Sequence, residues 1–182
     1  MYDERRMANL LMMKAVADSV ITVRRAVPED QDFLFHLYWE VRAPEFAMLA
    51  LPAEQKQHLI LMQFTAQNNA YRAQFPGSDY VIVLQNGRPV GRLWIAESAQ
   101  EFHLVDIALQ PQARNSGIGT VLIRQLQAEA RRAGKPVRST VFRFNPGSLR
   151  FHQRLGFRIG SEDPMQFYME WIPSENAALI TA

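Results

Sequence analysis

The stretch from Glu101 to Gly134 alternates over its first third, turns, and then repeats at helical spacing, so the chain must run a strand directly into a helix. Phe102, Leu104, Asp106 and Ala108 alternate with His103, Val105, Ile107 and Leu109. Asp106 is the one charge inside that apolar pattern, which implies sheet covered on both faces. The turn reads Gln110-Pro111-Gln112-Ala113-Arg114-Asn115-Ser116-Gly117-Ile118-Gly119-Thr120. Beyond it Ile118, Val121, Leu122 and Leu126 share a helical face. Arg131, Arg132 and Gly134 then supply the cations and left-handed cap that a helix C-terminus favours.

A buried strand entering a glycine-punctuated helix N-terminus, with an arginine at the bend, suits an anion. The first helical turn leaves backbone N–H groups without intrahelical partners, and the dipole adds partial positive charge there. Gly117 and Gly119 lack Cβ atoms, so phosphate oxygens can approach those amides closely. Arg114 can add a charge-assisted contact from the side. The same residues would also serve a plain tight strand-to-helix turn. The nucleotide fingerprints do not fit: there is no Gly-x-Gly-x-x-Gly, and no Gly-Lys-Ser/Thr closes a phosphate loop.

A second stretch, Asn145-Pro146-Gly147-Ser148-Leu149-Arg150-Phe151-His152-Gln153-Arg154-Leu155-Gly156-Phe157, follows the next strand-like run. Together the two stretches resemble the GNAT superfamily of acyl-CoA-dependent N-acyltransferases. Arg114 to Gly119 matches its pyrophosphate signature Arg/Gln-x-x-Gly-x-Gly/Ala, and Asn145 to Phe157 resembles its later motif, an Asn-Pro-Ala segment leading to Tyr-x-x-x-Gly-Phe. Element order agrees from about Ile21 to Ile172. Gly147-Ser148 departs mildly from the small-residue pattern, and His152 stands where the family usually has tyrosine. The resemblance implies acetyl-CoA as cosubstrate, no metal, and a small-molecule or peptide amine as acceptor. It implies that Arg114, Asn115, Ser116, Gly117, Ile118, Gly119 and Thr120 hold the diphosphate. Backbone near Ile107, Ala108 and Leu109 would meet the oxyanion and the pantetheine arm, and Asn145 would flank the same arm.

Composition bounds the alternatives. With 182 residues, 48% of them hydrophobic, the chain can bury one adequate core. We divide it into an N-terminal extension over 1–19, helical or loosely ordered, a single domain over 20–173, and a flexible tail over 174–182. The net charge is +2 and no block of five like charges occurs, so neither nucleic acid nor an anionic membrane is indicated as a partner. Cysteine is absent, which removes thiol nucleophiles and disulfides and is compatible with a reducing cytoplasm, where we place the protein. No run approaches the roughly 20 apolar residues of a membrane span.

The remaining elements follow from period and punctuation. Ile21 to Val27 alternates as a strand and stops at Pro28; Asp30 is placed as the N-cap of a helix carrying Phe33, Leu34, Leu37, Tyr38 and Val41. Pro44 is expected to interrupt it. Pro52-Ala53-Glu54 opens a second helix to about Gln67, where Asn68-Asn69 is expected to break it before one more turn over Tyr71 to Phe75. Tyr80 to Leu84 and Val90 to Ile95 form a hairpin about Asn86-Gly87. Val137 to Phe144 is a strand, Ser148 to Leu155 a short helix, and Phe157 to Gly160 and Gln166 to Ile172 are strands. The order gives an α/β fold with a mixed sheet, partly antiparallel at its start and flanked by helices, as in the GNAT family it resembles.

Acyl transfer to an amine needs a proton acceptor, because an alkylammonium pKa near 10.4 leaves little neutral nucleophile. His103 is the leading base and Asp106 the alternative; their opposite strand parity keeps both from facing one cleft. Glu40 is a weaker candidate. His152 could protonate the departing thiolate in place of the family's tyrosine, although a thiol pKa near 8.5 makes that help dispensable. The aromatic residues Phe35, Tyr38, Trp39, Phe46 and Tyr71 could line an acceptor pocket or belong to the core. The alternative to an enzyme is a non-catalytic CoA-binding or partner-binding module on the same fold, and a homodimer through edge strands stays open.

Overall fold

The alternating and helical runs become eight strands and four α-helices among the residues described, 14–16 and 19–173, in a computed structural model of the chain. In chain order they are β1 (Lys14–Val16), β2 (Ser19–Arg25), α1 (Gln31–Ala47), α2 (Ala53–Gln74), β3 (Asp79–Gln85), β4 (Arg88–Glu97), β5 (Phe102–Leu109), α3 (Ile118–Ala133), β6 (Val137–Phe142), α4 (Pro146–Arg154), β7 (Arg158–Glu162) and β8 (Gln166–Trp171). Single 3-10 turns occupy Pro28–Asp30 and Pro111–Ala113. The strands form one mixed sheet in the order β1-β2-β3-β4-β5-β6-β8-β7. The β1–β2, β2–β3, β6–β8 and β7–β8 ladders are antiparallel and the β5–β6 ladder is parallel. No helix among the described residues is long and apolar enough to cross a membrane.

The residues group into two compact units. One runs up to Trp94 and adds Asp106–Gly119; the other comprises Ile95–Val105 and everything from Thr120 onward. The first is built on Leu34, Tyr38, Phe46, Ile60, Phe64 and Ile82, buried from α1, α2 and β3. Each such side chain taken out of water contributes about 1.5–3 kcal/mol, enough to override weaker local preferences. Hence two expected breaks do not occur. Pro44 lies within α1, which continues to Ala47; proline costs the bond to the carbonyl of Glu40, but the last turn delivers Phe46 to the core. α2 runs unbroken to Gln74 with Asn68 buried in it, because asparagine costs only tenths of a kcal/mol in a helix.

Other local expectations are refined. Asp30 occupies the N-cap position of α1 without capping it through its side chain. Its carboxylate is taken instead by Arg24, at 2.6 and 2.7 Å, and by the Val27 amide at 2.9 Å. Lys14–Val16, within the extension expected to be helical or loose, pairs as a strand with Ser19–Ile21; residues 1–13, 17–18 and 174–182 lie outside the described residues. The Asn86-Gly87 turn has φ of 51° and 78°, the type I′ geometry that joins antiparallel neighbours with two residues.

The second unit packs one face of α3, through Leu122, Ile123, Leu126 and Ala130, and the inner positions Val137, Val141, Met169 and Trp171 into its core. Gly134, at φ 66°, ends α3 in a Schellman motif: its amide donates to the Arg131 carbonyl and the Lys135 amide to the Ala130 carbonyl. The described β5–β6 ladder spans Phe102↔Val137 to Leu104↔Ser139, three pairs of an eight-residue strand.

Gly91 on β4 marks how closely that strand approaches the end of β5. A Cβ built there would collide with the Ala108 carbonyl oxygen and lie 2.5 Å from Leu109 Cδ2. The leucine can swing aside, but the carbonyl is backbone. Gly91→Ala should therefore destabilise the fold by about 1–3 kcal/mol, which exceeds the gain of about 0.4–1 kcal/mol from a stiffer unfolded chain. Thermal unfolding should show a drop of roughly 2–10 °C; an unchanged midpoint would contradict this close approach.

Candidate functional site

The strand-to-helix bend is held by its own bonds. The Gln110 amide donates to Val90 O and pins the end of β5 to β4. Pro111–Ala113 makes one 3-10 turn, with Ala113 buried beneath it. The Ser116 hydroxyl donates to Ala113 O at 2.7 Å, and Arg114 Nε donates to Leu109 O at 3.0 Å, which folds the arginine back along the loop. Asn115 and Gly117 have φ of 58° and 90°, left-handed values that asparagine tolerates and glycine adopts without strain. Residues 114–117 and Thr120 are exposed, Gly119 is half-buried, and Ile118 anchors the first turn in the core. The amides of Ile118 to Val121 open α3 and have no carbonyl one turn earlier within the helix.

Asp106, in the same unit, is tied down by a residue that sequence reasoning missed. Arg92 on β4, 3% exposed, donates through Nε to Asp106 Oδ2 at 2.6 Å and through Nη2 to Gln67 Oε1 at 2.9 Å. Burial alone would lower the Arg92 pKa, but Asp106 and Tyr80 more than offset it, so the guanidinium stays charged. Tyr71 stands edge-on to Trp94 at 5.3 Å, and Tyr80 stacks on the same indole at 4.2 Å. Burial, reinforced by Asp106, pushes the Tyr71 phenol up to about 12. A signal for Arg92 was present: it is a lone charge in the apolar run Val90 to Ile95, as Asp106 is in β5. Two opposite lone charges on adjacent strands are a readable pair. Glu40 on α1 accepts from Gln110 Nε2 at 3.3 Å, at the foot of the loop. Of the aromatics considered for a pocket, Tyr38 and Phe46 are core, and Phe35 and Trp39 pack against them.

His103, Asn145 and His152 fall in the other unit. His103 is half-buried opposite Arg138, with Nδ1 3.6 Å from Glu101 Oε1. Glu101 and Glu170 both accept from Arg138, at 2.6 and 3.0 Å. Burial pushes the His103 pKa below its ordinary value, Glu101 pulls it back and Arg138 pushes it down again. The imidazole is therefore neutral at pH 7, the form that accepts a proton. Asn145 caps α4: its side-chain oxygen accepts from the Ser148 amide at 2.9 Å, while the residue itself is exposed.

His152 is buried between the rings of Phe151 and Phe157. Its Nδ1 lies 2.9 Å from Ser148 O, and a carbonyl only accepts, so Nδ1 carries the proton. Nε2 is buried without a partner. Burial lowers the pKa, with the Ser148 bond partly opposing. A neutral ring of this tautomer has no Nε2 proton to give to a thiolate.

Comparison with protein families matches residues 32–157 to the acetyltransferase (GNAT) family. The chain belongs to that family. Comparison with curated protein sequences returns no match. Among solved structures, the chain is similar to the PaiA N-acetyltransferase of Thermoplasma acidophilum, crystallised in complex with coenzyme A, with a TM-score of 0.64 and 18% identity over 84% of this chain and 98% of that one. It is similar to an acetyltransferase from Thermus thermophilus, with a TM-score of 0.61 and 17% identity over 84% and 96%. The N-acetyltransferase PseH of Campylobacter jejuni gives a TM-score of 0.55 and 16% identity over 85% and 99%. These likenesses show the fold.

The lowered His152 pKa has a consequence for stability. Above pH 6.5 the ring is neutral both folded and unfolded; below it the unfolded chain takes up a proton that the buried ring resists, so stability falls as pH falls from 6.5 toward the lower folded value. Removing the titration with a ring of similar size should remove up to about 1.4 kcal/mol of that loss per pH unit. Denaturant unfolding of His152→Phe between pH 7 and 5 should therefore give a flatter stability curve than the parent. Parallel curves would mean that the ring protonates freely in the fold.

Proposed function

We propose that the protein moves an acetyl group from acetyl-CoA to a primary amine by direct attack in a ternary complex. The observation that carries this reading is the exposed, left-handed loop leading into the first turn of α3, whose amides have no intrahelical partner, at the stretch that resembles the family's diphosphate motif. Arg114, Asn115, Ser116, Gly117, Ile118, Gly119 and Thr120 hold the diphosphate, through main-chain amides and the Arg114 guanidinium. The described β5–β6 ladder stops at Leu104, which leaves Ile107, Ala108 and Leu109 outside it. Their backbone receives the pantetheine arm as an added strand and gives an amide to the oxyanion. Asn145 flanks that arm with the amide group it does not spend on its cap.

The amine arrives as an ammonium and must lose a proton before it attacks. His103, neutral at pH 7, is the leading acceptor of that proton, directly or through water, and Asp106, of opposite strand parity, is the alternative. The neutral nitrogen attacks the thioester carbonyl carbon, gives up its second proton to water, and the tetrahedral oxyanion collapses as the carbon–sulfur bond breaks. The thiolate leaves and takes a proton from solvent, because His152 has none to offer. Where Asp106 rather than His103 faces the amine, Arg92 occupies one of its oxygens and leaves the other for the ammonium.

Thiol release from acetyl-CoA with pooled amine acceptors tests the proposal, alongside thermal stabilisation by CoA. Stabilisation without release for any acceptor would instead identify a CoA-binding module. His103→Ala should lower turnover by about 10²–10⁴, as expected of a general base, and His152→Phe by less than about tenfold. In the parent, kcat/KM should fall on the acid side with an apparent pKa below 6.5, the direction in which burial moves His103. Arg114→Glu reverses a charge beside the phosphates and should chiefly raise the KM for acetyl-CoA. Unchanged CoA affinity in that variant would contradict the role given to the loop.

A further inference from the structure

We propose that Arg92 is the positioning residue of acceptor capture: it fixes the Asp106 carboxylate so that Oδ1 is presented to the incoming ammonium. This rests on the acetyl-transfer reading, with Asp106 rather than His103 facing the amine, and deepens it. Three elements converge on the guanidinium. Nε bonds Asp106 on β5 and Nη2 bonds Gln67 on α2, while Tyr38 of α1 lies with its ring centroid 6.0 Å from the guanidinium carbon. Nη1 is buried without a partner. The arginine is 3% exposed, whereas the Asp106 side chain is 21% exposed. One end of the pair is therefore sealed in the core and the other remains reachable.

That asymmetry separates this pair from a structural tie. A buried ion pair is a poor source of stability, because apolar side chains of similar volume usually do as well or better. Keeping a charged guanidinium in the core is intelligible if the carboxylate it holds is needed as a charge at a fixed place. Only Oδ2 is engaged by Arg92, and Asp106 makes no further hydrogen bond among the described residues. The Gln67 bond stops the guanidinium from rotating about its own axis, so the carboxylate cannot swing with it. A carboxylate with one oxygen fixed from behind and the other left free recognises a primary ammonium.

The role predicts a split that packing alone would not produce. Arg92→Lys keeps a cation but cannot bond Asp106 and Gln67 together. The amine is whichever of tyramine, spermidine, kanamycin and a glycyl peptide the parent acetylates fastest. With that amine, the acceptor KM should rise about tenfold or more, while the acetyl-CoA KM and the CoA-induced thermal shift stay within about twofold. Gln67→Met leaves both charges in place and answers the question if Arg92→Lys fails to fold. It should raise the acceptor KM severalfold with the acetyl-CoA KM unchanged. An acceptor KM within twofold of the parent in either folded variant overturns the inference, as does an equal rise in both KM values. A parent that binds CoA but acetylates no amine removes the enzymatic reading, and this inference with it.

Discussion

Two left-handed residues, Asn115 and Gly117, let the chain pass from β5 into α3 within eight residues, 110 to 117, and the rest of the site follows from that economy. A longer connection would leave room for a side chain to fold over the opening turn of α3. Here Ser116 bonds back to Ala113 and Arg114 to Leu109, within the loop, and the opening amides of the helix have no intrahelical carbonyl. Ile118, fully buried, fixes where that turn begins. Main-chain donors suit this task better than side chains: an amide aimed by the fold needs no rotamer ordering when an anion arrives.

The charged pair of Arg92 and Asp106 has a different basis. There the chain accepts the cost of a charged guanidinium in its core and divides the partners of Arg92 between a neighbouring strand and a helix. The same unit carries an aromatic wall of Tyr71, Trp94 and Tyr80, with the indole nitrogen satisfied by Ser78 Oγ at 2.6 Å. His103 is arranged on other terms: half-buried, neutral, and beside a surface network in which Arg138 bridges Glu101 and Glu170. Carboxylate and imidazole thus receive different environments, a buried guanidinium behind the one and a half-buried surface network beside the other.

The sequence showed most clearly those features whose causes are local. The strand–turn–helix at 101–134, the Asn86-Gly87 hairpin and the Gly134 cap follow from period, dihedral needs and end effects, and the structure keeps all three. Where tertiary burial competes with propensity, local reading failed. Pro44 and Asn68 sit inside helices because Phe46, Ile60 and Phe64 reward continuation. Asp30 looked like a helix cap and became the partner of Arg24, which no spacing rule announces. Asp106 was visible as an anomaly in an apolar strand, but its meaning required Arg92 and Gln67, 14 and 25 positions from their partners along the chain. His152 could be located by motif; its tautomer and silent Nε2 could only come from the Ser148 carbonyl and the surrounding rings.

The proposed activity depends on main-chain amides gripping a diphosphate. An amide-resolved NMR titration of the isotope-labelled chain with coenzyme A, compared with pantetheine, which lacks the diphosphate, tests this most directly. The amides of Gly117, Ile118, Gly119 and Thr120 should shift strongly with coenzyme A and stay in place with pantetheine. If those four resonances ignore coenzyme A, or move equally with pantetheine, the loop does not hold a diphosphate and the proposed activity loses its foundation.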